Sequence, residues 1–213
     1  MRDRVQPQSL LRIACASMPT LRRLCVYAGS NVGTRPEYAA AAAALAERMA
    51  GRGIGLVYGG GKVGLMGVLA DTILDAGGEV VGVMPQALVN REIAHTGLSK
   101  LEVVGSMHER KALMAELADG FVAVPGGIGT LEELIEMLTW SQLGIHAKPC
   151  GMLDVADFYS GLSGLLDHMV REGFLRAENR ARLISTAQPG TLLKLLEAWE
   201  PASVTNWLDL VRS

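Results

Sequence analysis

Residues 120–144 read GFVAVPGGIGTLEELIEMLTWSQLG, a short apolar run that breaks at a Pro-Gly-Gly turn and resumes as apolar residues at helical spacing. The run is too short for a helix and suits a buried strand, while Leu131, Leu134, Ile135, Leu138 and Leu143 recur as one face of a helix does. This is a strand–turn–helix unit, and it is not alone. Working outward, LCVYAGS (24–30) precedes an Ala-rich helix pattern, RPEYAAAAAALAERMAGRG (35–53), and IGLVYGGG (54–61) precedes GLMGVLADTILDAGG (64–78). EVVGVMP (79–85), LEVVG (101–105) with MHERKALMAELA (107–118), PCGMLD (149–154) with FYSGLSGLLDHMVREG (158–173), and RLIST (182–186) with TLLKLLEAW (191–199) continue the alternation. About seven strands alternating with helices predict a Rossmann-like α/β fold, a doubly wound parallel sheet with helices on both faces. In such sheets ligands bind outside the carboxyl ends of the strands, near the point where strand order reverses.

The 213 residues suit one domain, expected over 21–200, between a poorly ordered N-terminal extension at 1–20 and a C-terminal tail at 201–213. Within the extension, SLLRIA (9–14) could add a short docked helix. Hydrophobic residues make up 49% of the chain and aromatic ones only 5%, a balance that favours helices packed on a parallel sheet over a β-sandwich. A formal charge of -2 gives no overall attraction to nucleic acid or to an acidic membrane surface, so any anion must be held locally. Cys15, Cys25 and Cys150 are odd in number and widely spaced, and they suggest neither a disulfide framework nor a zinc site. No metal is expected. No apolar run approaches the roughly 20 residues that span a bilayer, and no secretory leader is evident, so a cytoplasmic protein is expected.

Three glycine turns after strands carry the candidate chemistry: AGSNVG (28–33), GGGKVGLMG (59–67) and PGGIGT (125–130). GGGKVG lacks both the GxxxxGK spacing and the Ser or Thr after Lys62 that a P-loop needs for magnesium. The first turn lacks GxGxxG, and the second strand ends in Tyr58 and glycines rather than an acid, which argues against NAD. PGGIGT differs, because its glycines let a ligand approach the backbone at the start of a helix whose unpaired N–H groups attract phosphate or carboxylate. Thr130 is read as the helix N-cap or as a donor to that ligand, and Glu132 and Glu133 as first-turn acids favoured by the dipole or as functional groups.

In SMHERK (106–111), Arg110 and Lys111 fall near a helix start, where the dipole disfavours cations unless an anion compensates. Arg110 offers a planar fork suited to a phosphate or a carboxylate, Lys111 fits a solvated face as well, and His108 reads as a helix-start residue before a base. Met137 and Trp140 are candidates to face a partner. Met66, Met84, Met107 and Met114 could shape an adaptable pocket or fill core gaps.

PGGIGTLEE (125–133), with MHERK upstream and TWSQLGIHAKP (139–149) downstream, resembles the LOG, or Lonely guy, family of cytokinin riboside 5'-monophosphate phosphoribohydrolases. YGGGKVGLMG and VMPQALVNREIAH stand in register with the same family, so the likeness runs from about CVYAGS to RLIS. Some members were labelled lysine decarboxylases, but nothing in the sequence marks a pyridoxal phosphate lysine with its partners. The resemblance implies hydrolysis of the N-glycosidic bond of a purine nucleoside 5'-monophosphate, AMP or its N6-prenylated relatives, to free base and ribose 5-phosphate. It implies Arg110 and Glu133 as the catalytic pair. It also implies a substrate site lined by Glu92, Lys111, Gly127, Ile128, Gly129, Thr130, Leu131, Glu132 and Thr139, a homodimer, and no cofactor.

In that chemistry a carboxylate beside the sugar stabilises the oxocarbenium-like transition state and activates water. A rival of another class is a non-catalytic carrier or sensor, since related folds hold phosphorylated cofactors, molybdenum cofactor among them, with glycine turns of this kind. An acid and an arginine in the family's positions favour the enzyme.

Overall fold

The computed structural model describes residues 21–89 and 94–200. Among them, seven strands form one parallel sheet: β1 (Arg23–Tyr27), β2 (Gly55–Tyr58), β3 (Val80–Pro85), β4 (Lys100–Val104), β5 (Gly120–Ala123), β6 (Cys150–Leu153) and β7 (Leu183–Thr186). Their order is β4-β3-β2-β1-β5-β6-β7. The chain winds outward from β1 to β4, then returns to place β5 on the other side of β1. Register pairs Cys25 with Val57 on one flank and with Phe121 on the other. Strand order therefore reverses between β1 and β5, and the carboxyl ends of these two strands mark the crevice where such folds bind ligands.

The helices are α1 (Pro36–Ala50), α2 (Gly64–Asp75), α3 (Gln86–Val89), α4 (Met107–Leu117), α5 (Ile128–Gln142), α6 (Ser160–Arg171), α7 (Ala177–Arg180) and α8 (Pro189–Glu197). Side chains alternate across a strand, so β1 serves two cores. Leu24 and Val26 pack with Leu45 and Met49 of α1 and Leu69 of α2, whereas Cys25 and Tyr27 pack with Met114 of α4 and Met137 of α5. Met137 is wholly buried, which corrects its reading as a partner-facing residue: it sits on the sheet side of α5. Met84 and Met114 are core residues too, while Met107 is exposed.

Local conformation draws the turns after β1, β2 and β5 together. The Gly29 N–H donates to Pro125 O at 3.1 Å, and the Leu65 N–H donates to Gly29 O at 3.0 Å. Gly64 has a φ of +65°, and a Cβ there would overlap the backbone of Ser30 and Asn31, so only glycine lets α2 start against the first turn. The His95 N–H donates to Gly60 O at 3.0 Å, and its ring bridges Asp71 Oδ1 at 2.8 Å and the Gly97 N–H at 3.1 Å. Nδ1 accepts from that N–H, so Nε2 carries the proton and donates to Asp71.

Past the turn after β5, the Tyr159 hydroxyl donates to Val124 O at 2.7 Å from a site that is 1% exposed. Tyr159→Phe would leave that carbonyl short of a partner and is expected to cost about 1–2 kcal/mol, read as a lower midpoint in urea.

Candidate active site

The site grows from two helix starts that lie side by side on one face of the sheet, over β1. Ser106 caps α4 by accepting from the Glu109 N–H at 3.1 Å, and the Glu109 carboxylate reaches back to the Gly105 N–H at 2.9 Å. This box fixes the first turn, and the next two residues, Arg110 and Lys111, turn inward to 9% and 6% exposure. His108 stays outside on the first turn, as a helix-start residue.

The Arg110 Nη2 donates to Gly59 O at 3.3 Å, Nη1 lies 3.8 Å from Met107 Sδ, and Nε has no partner among the described residues. A Cβ at Gly59 would overlap Nη2. The first glycine of GGGKVG thus makes room for the guanidinium, a role its place in a turn did not announce. An almost buried guanidinium with a free N–H is a ready donor to an anion or to a ribose oxygen.

Beside α4, α5 starts at Ile128 with Gly127, not Thr130, as its N-cap, and no side chain caps it. Thr130 lies inside the first turn and is 4% exposed, and a Cβ at Gly126 would run into its hydroxyl. With the helix starting two residues earlier than Thr130, Glu132 and Glu133 fall beyond the first turn, and their presence owes little to the dipole. At Gly127 and Gly129 an added Cβ would meet nothing within 4 Å, and Ile128 is 85% exposed, so this backbone faces open space. The first N–H groups of a helix have no intrahelical partner, and here they border that space.

A crevice of about 180 Å³ lies between Gly29–Gly33 and Pro125–Gly127, floored by Leu65 and closed by Tyr38 and Phe158. Ala156 and Asp157, just before Phe158, both adopt left-handed backbone with φ of 52° and 60°. Such conformations cost about 1–3 kcal/mol each and need surrounding contacts to hold them. Arg35 supplies one, with Nη1 3.4 Å from Ala156 O.

Glu133 differs from Glu132 and Glu136 in having no cation paired with it among the described residues. Among the described residues it has no hydrogen bond and no ion pair within 4.0 Å. Burial pushes its carboxyl up to about 7; Arg110 and Lys111 pull it down, and Glu132 and Glu136 push it further up. Lys111 is held elsewhere, hydrogen-bonded to Glu132 and ion-paired at 3.0 Å with Glu136 Oε2, a buried oxygen that accepts no hydrogen bond among the described residues. Burial lowers the proton affinity of Lys111, but the two carboxylates outweigh it and raise the ammonium's pKa. Glu136 was not among the residues singled out in the sequence, although its spacing four residues after Glu132 puts both acids on one helix face.

The remaining expected residues scatter. Leu131 packs on the core cluster of Ala123, Leu134 and Tyr159. The Thr139 hydroxyl donates to Ile135 O at 2.8 Å, and Thr139 lines a separate apolar depression of about 360 Å³ between α5 and α6. Neither Arg110 nor Glu133 lines that depression. Glu92 lies outside the described residues, as do the expected N-terminal extension and C-terminal tail. Among the described residues no group of three or more His, Cys, Asp and Glu side chains is placed to hold a metal ion.

A parallel sheet of this order, with glycine turns gathered where the order reverses, defines a Rossmann-like α/β protein. The family model "Possible lysine decarboxylase" matches residues 66–196. The probable cytokinin riboside 5'-monophosphate phosphoribohydrolase LOGL1 of Oryza sativa subsp. japonica is 47% identical over 190 residues, spanning 87% of this chain and 85% of that protein. Cytokinin riboside 5'-monophosphate phosphoribohydrolase LOG2 of Arabidopsis thaliana is 46% identical over 180 residues, 84% of each chain. The chain belongs to the LOG family of cytokinin riboside 5'-monophosphate phosphoribohydrolases. Among solved structures, the molybdenum cofactor carrier protein of Chlamydomonas reinhardtii shares the fold, with a TM-score of 0.63, 20% identity, and coverage of 83% of this chain and 98% of that one.

Proposed function

We propose that this chain is an N-glycosyl hydrolase that cleaves cytokinin riboside 5'-monophosphates, AMP, or both, releasing the base and ribose 5-phosphate. The observation that carries the reading is the unpaired Glu133 carboxyl beside the buried Arg110, next to a helix start whose backbone faces open space. A carrier of phosphorylated cofactors would use the turn but has no need of a carboxyl held without a partner.

The phosphate sits at the N–H groups of Gly127 to Thr130, and this remote binding energy sets the sugar in place. As the glycosidic bond breaks, positive charge grows at the anomeric carbon, and the Glu133 carboxylate stabilises it and activates water. Arg110 orients Glu133 or the ribose and favours the ionised carboxyl. Glu92 and Leu131, the latter through its backbone, complete the nucleotide site in this reading. Incubation with AMP and with a prenylated AMP, followed by assay of free base and ribose 5-phosphate, tests it. Binding without release would favour the carrier.

The charge state gives a pH signature. Turnover needs Glu133 ionised, and burial lifts its pKa to about 7, so kcat/KM is expected to fall about tenfold per pH unit well below 7. The same shift acts on stability with a fixed sign. Folded Glu133 keeps its proton where the unfolded chain has released it, so the ligand-free protein loses stability as pH rises from the ordinary carboxyl range through about 7.

A cytoplasmic homodimer completes the proposal. Among the described residues no helix is long and apolar enough to cross a membrane. Ile135 and Leu165 border the apolar depression beside Thr139, and a second copy seated there would bury them and bring Thr139 to a subunit contact. Light scattering coupled to gel filtration reads the mass, and a monomer at micromolar concentration would remove this part of the proposal.

A further inference from the structure

Both cations of α4 are tied to groups other than Glu133, and the two ties differ in kind. Arg110 is anchored by a neutral carbonyl, Gly59 O, and keeps its charge available. Lys111 is bracketed by two carboxylates and is only 8% exposed at its side chain. A buried ammonium is tolerated when paired, and two acids at i and i+4 repel each other unless a cation sits between them. Lys111 meets both conditions at once.

We propose that Glu136 is a positioning residue which, together with Glu132, keeps the Lys111 ammonium from pairing directly with Glu133, so that Arg110 is the cation whose N–H groups are left to face the reacting carboxyl. This rests on the reading of Glu133 as the reacting carboxylate. Lys111 follows Arg110 directly on α4, Glu133 lies between Glu132 and Glu136 on α5, and the Lys111 charge already pulls the Glu133 carboxyl down, so a released Lys111 has Glu133 as a further acid to pair with. An ion pair there would pin the carboxylate and neutralise the charge that the sugar requires. The other groups facing Glu133 do not compete: Tyr27 and Cys25 of β1 lie behind it, buried, and burial raises both so that they remain neutral. The adjacent acids of LEE thus divide the work, Glu132 occupied with a lysine and Glu133 left open.

The test is the titration of Glu133 itself, by carbon NMR of protein labelled at the glutamate carboxyl carbons, with the resonance identified by its loss in Glu133→Gln. In Glu136→Gln, and more so in Glu132→Gln/Glu136→Gln, the midpoint is expected to fall by about one pH unit, because acids are removed and a cation is released. In Lys111→Met it is expected to rise. Opposite shifts from the two sides of one ion pair are not what general loosening of the fold would produce. The acid limb of kcat/KM for AMP should move with the midpoint, and kcat at neutral pH should drop about tenfold in the double variant. Midpoints that stay put, or that move the same way in all variants, would overturn the proposal. So would a Lys111→Met variant whose only change is a higher KM, since Lys111 would then be a nucleotide ligand. Midpoints that move as stated in a protein that releases no base would sink the hydrolase reading and leave the positioning role standing.

Discussion

Glu133→Gln is expected to lower kcat for nucleotide hydrolysis by about 10²–10³-fold while KM changes only a few-fold. The substitution keeps the shape of a side chain with no hydrogen bond or ion pair to lose among the described residues, so the fold has little reason to suffer. What disappears is a negative charge needed most when positive charge develops on the sugar, which is why the loss falls on kcat. Removing a buried acid whose proton is hard to release should also flatten the fall in stability between pH 5 and 8. Steady-state kinetics with AMP and thermal melts at the two pH values read both effects. Unchanged release of base would reject Glu133, and an equal loss in Glu132→Gln would mean that the other acid of the pair faces the sugar.

Arg110→Ala should cut kcat/KM by about 10²-fold and push the acid limb above its wild-type position, since the guanidinium is the largest influence holding the Glu133 carboxyl down. Arg110→Lys should rescue little, because an ammonium cannot reproduce a fork that spends one arm on Gly59 O and keeps Nε free. The melting temperature is expected to change by only a few degrees, as the side chain has a single hydrogen bond to protein oxygen among the described residues, at 3.3 Å. A collapse in stability with a normal pH profile in the surviving protein would make Arg110 a structural residue instead.

The alternation of apolar runs with helical patterns carried the α/β class, and PGGIGT with MHERK pointed to the candidate site, because both are local signals with a physical period or a special backbone demand. The reversal between β1 and β5 was not legible, since parallel pairing is settled by contacts nearly a hundred residues apart, such as Cys25 with Phe121. Thr130 reads as a cap by residue type, yet Gly127 takes that place, because its extended backbone ends the turn where the chain leaves β5. Met137 and Leu143 share one helical stretch, but one is buried against β1 and the other is 51% exposed, a distinction that depends on where α5 ends. The roles of Gly59 and Glu136 are not legible in the sequence, for a shared reason. Each matters through a partner remote in sequence, Arg110 for one and Lys111 for the other.

The three turns around the crevice are joined by main-chain hydrogen bonds, Gly29 to Pro125 and Leu65 to Gly29, and His95 holds the second of them through Gly60. Exposed side chains that line the crevice at its rim, Val32 and Phe158 among them, can be exchanged without touching those links. A lineage built on this frame is therefore free to drift in what it recognises while the mouth itself is inherited intact, which makes the rim, and not the frame, the place where new preferences would arise.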